Sequence, residues 1–314
     1  MKKVAVVGAG HWGKNLVRTF YELGALGAVV EASETLREIV KQQYPNVPVF
    51  DSVDVVKESH SIDGIVIATP AFTHYDLAKQ CLLSGKDVFI EKPMTLSGKD
   101  GEELVNTARE NQRILMVGHL LMYQPAIQEM KRVIDAGGIG RVVTLHQQRL
   151  KLGIVRSVEN VLWSFGVHDL AVFLYLVGEE PVDMNCTGQN IIQPSIEDDV
   201  YLHLTFPNGV KAHLHTSWLY PEVVRKLTII GTEGMLVYDE LAQSVALHKK
   251  GVRKDLSIWG DGSEIIFQGE NQPLKIECEH FLHCMETRTT PMSDGANGVA
   301  VLKILERASN KEGV

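Results

Sequence analysis

The chain has 314 residues, of which 45% are hydrophobic and 22% are charged; this length suits two domains, and the composition is typical of a folded globular protein. The formal net charge of -8 at pH 7 argues against a nucleic-acid-binding protein, because such a surface is basic. Since no apolar run is long enough for a signal peptide or a membrane span, the sequence predicts a cytoplasmic protein without a membrane partner.

The N-terminal segment follows the order strand, glycine loop, helix. Residues 3–7 are predicted to form a strand, because the apolar run at residues 4–7 is typical of a strand buried in a parallel sheet. The loop that follows has the spacing GxGxxG and contains Gly8, Gly10, His11, Trp12 and Gly13. In this context the glycines permit a tight turn, the approach of a pyrophosphate and close helix packing. An ordinary glycine-rich turn is the alternative.

A second strand, over residues 28–30, ends at Glu31. A carboxylate at this position can accept hydrogen bonds from ribose hydroxyl groups and would repel a 2′-phosphate. The sequence therefore predicts NAD, and not NADP, as the cofactor.

Strands and helices continue to alternate up to about residue 120. Apolar strands are predicted at residues 62–68, 87–90 and 114–117, and a helix is predicted at residues 73–83. This alternation predicts a doubly wound parallel sheet with right-handed crossovers. We therefore expect residues 1–120 to form an NAD-binding Rossmann domain.

Polar residues follow two of these strands. Thr69 and Pro70 form a turn after the first, and Glu91, Lys92 and Pro93 end the second. Lys92 is thus predicted at the carboxyl end of a strand, where open α/β sheets bind their ligands. An ion pair at a loop is the alternative.

From residue 121 the pattern changes to closely connected strands. Strands are predicted at residues 141–150, 182–188, 199–206, 210–218, 225–230 and 235–239, and helices at residues 125–136, 167–177, 276–285 and 297–308. Pro207-Asn208-Gly209 is typical of a hairpin turn. The second domain, residues 121–314, is therefore predicted to be an α/β domain with a largely antiparallel open sheet, and the fold class of the whole chain is α/β.

Several polar side chains of the second half are candidates for chemistry. His168 could remove a proton near neutral pH, or it could be a satisfied histidine at a helix start. Arg149, Lys151 and Arg156 form a basic cluster near the same segment, which either is solvated or binds an anionic substrate. Trp163 could line the same cleft, although packing is the commoner role of a tryptophan.

No metal site is predicted. His203, His213 and His215 lie on predicted strands, but a zinc site needs three or four converging ligands. A sheet or oligomer surface is the alternative for these histidines. The four cysteines lack any metal-ligand spacing, which indicates reduced thiols.

Together these motifs resemble those of the Gfo/Idh/MocA family of oxidoreductases, over nearly the whole chain. The residues that carry the resemblance are the glycine loop, Glu31, Thr69-Pro70 with His74, Glu91-Lys92-Pro93, Gly166-Val167-His168 and the C-terminal segments 279–282 and 291–295. The resemblance implies a Rossmann domain followed by a substrate-binding α/β domain, whose sheet forms a homo-oligomer, a dimer or tetramer. It also implies hydride transfer between a nicotinamide and a ring carbon of a sugar or cyclitol.

The family's catalytic lysine falls on Lys92 and its catalytic histidine on His168. We expect His168 to act as the base and Lys92 to polarise the oxygen or relay the proton. The carboxylate that many members carry four residues before the histidine falls on Ser164, and Asp169 is not at that position. The expected cofactor-binding residues are Gly8, Gly10, His11, Trp12, Gly13, Glu31, Thr69, Pro70, His74, Glu91 and Lys92. The expected substrate contacts are Tyr123, Arg149, Lys151, Arg156, Trp163 and Asp169.

Within the family, the chain most resembles nucleotide-sugar members, the UDP-N-acetylglucosaminuronate 3-dehydrogenases. The expected substrate is therefore a UDP-linked N-acetylaminosugar acid. A free-sugar or inositol dehydrogenase is the first alternative. A non-catalytic NAD-binding regulator is the second, because fold does not imply function; the presence of Lys92 and His168 argues against it, and Ser164 argues for it.

Overall fold

The computed structural model describes residues 2–153, 155–270 and 272–309, which divide into two units. Unit 1 consists of the stretch up to Leu120 and of Pro273–Lys303. Unit 2 consists of the stretch from Leu121 to Gln272 and of the residues from Ile304 onward. The predicted division into the continuous segments 1–120 and 121–314 is therefore wrong for the C-terminal part of the chain.

Both units contain helices. In chain order they are α1 (Gly13–Glu22), α2 (Glu34–Gln43), α3 (Asp54–Lys57), α4 (His74–Leu83), α5 (Gly98–Glu110), α6 (Pro125–Asp135), α7 (Val167–Val177), α8 (Pro273–Thr287) and α9 (Gly295–Ser309). Across the part of the chain that the structure describes, no helix combines the length and apolar character that a membrane span requires.

Unit 1 is built on a parallel sheet. Its strands are β1 (Val4–Val7), β2 (Leu26–Val30), β3 (Val49–Phe50), β4 (Gly64–Ile67), β5 (Asp87–Glu91) and β6 (Leu115–Gly118). They lie in the order β3-β2-β1-β4-β5-β6, and neighbouring strands pair in parallel. The central strands are buried along their whole length, which explains why they appear in the sequence as apolar runs. The predicted doubly wound sheet is confirmed.

The end of the chain returns to unit 1 through α8. The Phe281 ring of α8 lies 5.7 Å from the Phe89 ring of β5, measured between ring centroids. After α8, the Ser293 hydroxyl donates a hydrogen bond of 2.6 Å to the carbonyl oxygen of Val117 on β6. Periodicity in the sequence identifies the apolar face of such a helix but not the sheet against which it packs, which is why the predicted boundary failed here.

Unit 2 contains a second, larger sheet. Its strands are β7 (Val142–Leu150), β8 (Asp183–Gln189), β9 (Asp199–Thr205), β10 (Lys211–Ser217), β11 (Val224–Gly231), β12 (Met235–Asp239), β13 (Ser244–Val252) and β14 (Ile258–Gln268). The order is β14-β13-β12-β11-β7-β10-β9-β8, and β7 pairs with β10 in parallel while the other neighbours are antiparallel. This confirms the predicted largely antiparallel sheet.

The hairpin of β13 and β14 was not predicted from the sequence. Much of this hairpin is exposed, and its sequence is rich in lysine and glycine. Because this hairpin, whose strand β14 forms the edge of the sheet, buries few side chains, the alternation of apolar and polar residues that marks a strand is weak there.

Candidate active site

The glycine loop joins β1 to α1 in a conformation that requires glycine. Gly8 has a φ of +94°, and a Cβ at this position would lie 2.7 Å from the carbonyl oxygen of Ala68. A Cβ on Gly13 would lie 2.0 Å from the carbonyl oxygen of Gly8, so α1 packs this closely only without a side chain. A Cβ on Gly10, by contrast, would meet no atom of the described residues within 4 Å. The loop is therefore open at Gly10 to a phosphate group at the start of α1.

Glu31 follows β2 and is held against the glycine loop. Its Oε2 accepts a hydrogen bond of 2.7 Å from the backbone N–H of Ala9, and its Oε1 accepts one of 2.9 Å from the backbone N–H of Ser33. These two bonds fix the carboxylate at the carboxyl end of the sheet. This is the position from which a carboxylate binds the hydroxyl groups of an adenosine ribose.

A cavity of about 520 Å³ lies along the carboxyl ends of β1, β2 and β4. Five of the predicted cofactor-binding residues line it, namely Gly8, Gly10, Glu31, Thr69 and Pro70. Apolar side chains, including Leu36 and Val53, complete the wall. These residues fit a dinucleotide: Glu31 would hold the adenosine ribose, and the backbone of the glycine loop would hold the pyrophosphate.

Trp12 connects the glycine loop to the end of β5. Its indole N–H donates a hydrogen bond of 2.5 Å to Oε1 of Glu91, whose Oε2 accepts one of 3.2 Å from the backbone N–H of Lys92. Glu91 is buried and packs against Gly118. Glu91 therefore positions the loop and the strand end, and its contact with the cofactor stays a prediction. The Lys92-Pro93 peptide bond is cis, and His11 is exposed beside Trp12.

His74 also positions backbone and does not face the cavity. One ring nitrogen lies 2.9 Å from the carbonyl oxygen of Pro93 and the other lies 2.9 Å from that of Thr69. The ring is buried, and burial lowers the pKa of His74 against the opposing effect of the two carbonyl groups. The first turn of α4 directs this side chain between the ends of β4 and β5, and the contact of His74 with the cofactor stays a prediction.

His119, which was not predicted as a site residue from the sequence, is a neighbour of Lys92. Glu91 on β5 pairs with Gly118 on β6, so the residues that follow, Lys92 and His119, lie side by side at the carboxyl ends of adjacent strands. His119 is buried, and neither of its ring nitrogens has a hydrogen-bond partner among the described residues. Burial, assisted by the positive charge of Lys92, lowers the pKa of His119 to about 3. The imidazole is therefore neutral at pH 7.

Glu277 on α8 is a second buried group that the sequence analysis missed. Neither of its carboxyl oxygens has a hydrogen-bond partner within the described residues. Burial raises the pKa of Glu277 well above its usual range, and the negative charge of Glu91 adds to this shift. Burial also raises the pKa of Glu91 to about 7, although Trp12 and Lys92 oppose it. A carboxyl group on the apolar face of α8, beside Cys278 and Phe281, is the sequence signal that could have identified Glu277.

We expect Glu277→Gln to change how the stability of the protein depends on pH. Because the pKa of Glu277 is higher in the folded state than in the unfolded state, the folded protein retains a proton that the unfolded protein releases above about pH 4.3. This contribution is complete below that pH and is lost as the pH rises toward the folded pKa. We therefore compare the free energies of unfolding of the variant and of wild type, both measured by urea denaturation. The value for the variant minus the value for wild type should rise by up to about 1.4 kcal/mol per pH unit between about pH 5 and 8.

Glu279→Gln is the matched control, because Glu279 is exposed on the same helix. It should give no such trend with pH. A difference between wild type and Glu277→Gln that stays constant over this pH range would contradict the prediction.

In unit 2, His168 lies in the first turn of α7. A π-helical turn, Leu162–Gly166, precedes α7 and contains Ser164, the position where the resemblance expects a carboxylate. Asp169 does not replace that carboxylate, because both its oxygens bind Arg149, with Nε–Oδ2 at 2.8 Å and Nη2–Oδ1 at 2.9 Å. His168 therefore has a carboxylate as its chain neighbour, but that carboxylate is paired elsewhere.

Arg149 and Asp169 belong to a buried ion network. Arg149 and Arg225 are paired in register on β7 and β11, and two like charges in that position repel each other. Glu240 bridges them, with 3.1 Å from its Oε2 to Nη2 of Arg149 and 2.7 Å from its Oε1 to Nη1 of Arg225. Although burial opposes the charge on Arg149, Asp169 and Glu240 outweigh burial and raise the pKa of Arg149.

Arg149 and Asp169 are therefore bound to each other within an ion network, and their contacts with a substrate stay predictions. Both side chains are buried, and each is the hydrogen-bond partner of the other. Arg149 lies on β7 and Asp169 on α7, so only the tertiary structure brings them together. Lys151 is partly exposed, with its ammonium 5.3 Å from the centroid of the Phe165 ring. Arg156 is exposed. The three basic residues thus lie in different environments.

The remaining candidates of unit 2 have partners within that unit or are buried. The indole N–H of Trp163 donates a hydrogen bond of 2.9 Å to Oγ of Ser309, and Tyr123 is buried. His203 and His213 face each other on β9 and β10, with 2.7 Å between their Nδ1 atoms. Within the described residues, no group of three or more potential ligands is arranged to hold a metal ion.

Known families match both units. Residues 2–119 match the model described as oxidoreductase family, NAD-binding Rossmann fold, and residues 127–237 match the model of the GFO/IDH/MocA C-terminal domain. The chain belongs to the Gfo/Idh/MocA family. This Gfo/Idh/MocA protein is accordingly an oxidoreductase with NAD as its cofactor, in agreement with Glu31 and the glycine loop.

Two curated relatives extend along nearly the whole Gfo/Idh/MocA chain. A UDP-N-acetylglucosamine 3-dehydrogenase of Acidithiobacillus ferrooxidans is 28% identical over 302 residues, which cover 96% of this chain and 94% of the relative. A scyllo-inositol 2-dehydrogenase (NAD(+)) of Bacillus subtilis is 27% identical over 332 residues, with coverage of 98% and 93%. A solved structure of the Acidithiobacillus enzyme has a TM-score of 0.86 at 26% identity and covers 98% of this chain and 96% of its own. The relatives therefore share dehydrogenase chemistry but act on different substrates.

Proposed function

We propose that this protein is an NAD-dependent dehydrogenase that oxidises a ring hydroxyl group of a UDP-linked N-acetylaminosugar. The observation that carries this proposal is the likeness to the UDP-N-acetylglucosamine 3-dehydrogenase, which extends over 96% of the chain and is matched by a TM-score of 0.86. The dinucleotide cavity beside Glu31 is consistent with it.

Within this substrate class, the aminosugar acid has less support than the sequence alone suggested. Arg149, one of the three basic residues that could bind an anionic substrate, forms ion pairs with Asp169 and Glu240. Lys151 and Arg156 are the remaining basic candidates. The neutral UDP-N-acetylaminosugar and its uronic acid therefore both belong in the test.

In the proposed reaction, NAD and the side chains have separate roles. NAD, held by Glu31 and the glycine loop, would supply the acceptor for the hydride that leaves the carbon carrying the hydroxyl group. His168, in the first turn of α7, removes the hydroxyl proton, for which an imidazole suits neutral pH. Lys92, at the end of β5, stabilises the negative charge that develops on the oxygen. Trp12 and Glu91 support Lys92 by fixing the strand end.

An inositol or free-sugar dehydrogenase is the second candidate. The relative from Bacillus subtilis favours it, because that scyllo-inositol 2-dehydrogenase is 27% identical over 98% of this chain. A homo-oligomer through the sheet of unit 2 and a cytoplasmic location stay predictions.

The function is tested by following NADH absorbance with a panel of substrates. The panel contains UDP-N-acetylglucosamine, its uronic acid, free sugars, and myo- and scyllo-inositol, each with NAD and with NADP. We expect turnover with the UDP-sugars and NAD. Turnover with inositols or free sugars alone would replace the first candidate with the second, and NADH binding without turnover of any compound would favour the non-catalytic regulator.

A further inference from the structure

The strand order of unit 1 places successive functional groups along one edge of the sheet. Glu31 follows β2, the glycine loop follows β1, Thr69 follows β4, Lys92 follows β5 and His119 follows β6, and these five strands are neighbours in that order. Adjacent strands lie about 4.8 Å apart. If the adenosine ribose lies at Glu31 and the reacting carbon at Lys92, His119 lies one strand beyond the reacting carbon, on the side away from the adenosine.

His119 is a buried polar side chain whose hydrogen-bonding capacity is unused in the ligand-free protein, within the described residues. It is 2% exposed, and among the described residues neither ring nitrogen makes a hydrogen bond. Buried polar groups in proteins are nearly always paired. His74, the other buried histidine at this edge of the sheet, follows that rule, because carbonyl oxygens lie 2.9 Å from both its nitrogens. His119 is therefore an exception that a bound ligand would explain.

The chemistry of His119 indicates which ligand. A neutral imidazole offers one donor and one acceptor, and a hydroxyl group offers the complementary pair. A neutral ring beside Lys92 also adds no second positive charge at the reacting carbon. Since a sugar or cyclitol ring carries a hydroxyl group or an acylated amine next to the carbon that is oxidised, the substrate supplies such a partner one position from the reacting group.

We propose that His119 binds the substrate through a hydrogen bond to the ring substituent next to the hydroxyl group that is oxidised, and that it helps to select the substrate. This inference rests on the proposed dehydrogenase function, with Lys92 at the reacting carbon. It assigns His119 to the substrate and not to NAD, because β6 lies on the far side of β5 from the glycine loop.

Two variants at this position test the inference. His119→Leu removes both hydrogen-bonding atoms, whereas His119→Gln keeps a donor and an acceptor. We expect His119→Leu to lower kcat/KM about tenfold or more, chiefly through KM, and His119→Gln to retain most of the activity. NADH affinity, measured by fluorescence titration, should be unchanged in both. His60→Leu, the same change at an exposed histidine of unit 1, is the control for the substitution itself.

Deoxy analogues of the substrate identify the group that His119 contacts. For wild type, the analogue that lacks the contacted substituent should have a kcat/KM about tenfold lower than the parent compound. For His119→Leu, that analogue and the parent should react equally well. An unchanged kcat/KM in His119→Leu, or a fall in NADH affinity that accounts for the lost activity, would overturn the inference while leaving the dehydrogenase function intact.

A stability measurement decides between a binding role and a structural role without any substrate. If His119 has no partner in the folded protein, replacing it with leucine should leave the melting temperature unchanged or raise it, because an unpaired buried polar group is removed. A melting temperature of His119→Leu clearly below those of wild type and His60→Leu would show that the imidazole supports the fold, and would overturn the inference. This result does not depend on whether the panel reveals a substrate.

Discussion

Replacement of Lys92 by methionine is expected to lower kcat by about 10²- to 10⁴-fold while NADH still binds. Methionine retains the length of the side chain but has neither a charge to stabilise the oxygen nor a proton to relay. The cofactor cavity is lined by residues of β1 and β2 and of the segments that follow β1 to β4, and Lys92 is not among those residues. The measurement is steady-state turnover of the substrate found in the panel, combined with titration of NADH fluorescence.

Lys99→Met is the control, because Lys99 is exposed at the start of the helix that follows, α5. It should leave both kcat and NADH affinity unchanged. Undiminished turnover of Lys92→Met would remove the lysine from the mechanism. Equal losses of turnover and of NADH affinity would instead show that Lys92 serves cofactor binding.

Replacement of Arg149 by methionine is expected to lower the free energy of unfolding by about 3–5 kcal/mol, because it leaves a buried carboxylate without its partner. Asp169 is 2% exposed. The guanidinium group of Arg149 donates hydrogen bonds to both of its carboxylate oxygens. Glu240 loses less, since Arg225 still binds it at 2.7 Å. Urea denaturation followed by tryptophan fluorescence measures this loss.

Two further variants separate the buried charge from other effects of the substitution. Arg156→Met makes the same change at an exposed arginine that lies 3.7 Å from Glu159, and it should cost at most about 1 kcal/mol. The double variant Arg149→Met with Asp169→Leu should recover part of the loss, because an apolar pair can replace a buried ion pair. A loss of less than about 1 kcal/mol in Arg149→Met alone would contradict the interpretation of this network as a buried ion pair.

The elements that the sequence predicted well are those whose signals are local. The parallel strands of unit 1 are buried on both faces, so each appears as an apolar run, and the glycine loop lies between the first of them and its helix. Glu31 and Lys92 were found for the same reason, since each directly follows such a run. The helix predicted over residues 167–177 coincides with α7, Val167–Val177, because its apolar residues recur at helical spacing.

The contacts that the sequence did not predict join residues distant in the chain. Arg149 was interpreted as a surface donor because the residues near it in sequence are basic, whereas its carboxylate partners come from α7 and from the end of β12. His74 and Glu91 were assigned to the cofactor because they lie within family motifs, but their hydrogen bonds show that they position backbone. Composition and spacing record the type of a side chain and not the direction in which it points.

The sequence by itself determined the α/β class, the dinucleotide loop with its carboxylate, and the lysine at a strand end, because these depend on burial patterns and turns within a few residues. Only the tertiary structure decided that α8 and the first part of α9 complete unit 1. It also decided that Glu277 is buried where the charge of Glu91 raises its pKa, and that His119 lies beside Lys92. The physical reason is that strand register and helix docking join segments far apart in the chain. At such junctions burial and neighbouring charges, which no local pattern contains, set the protonation of His119 and Glu277.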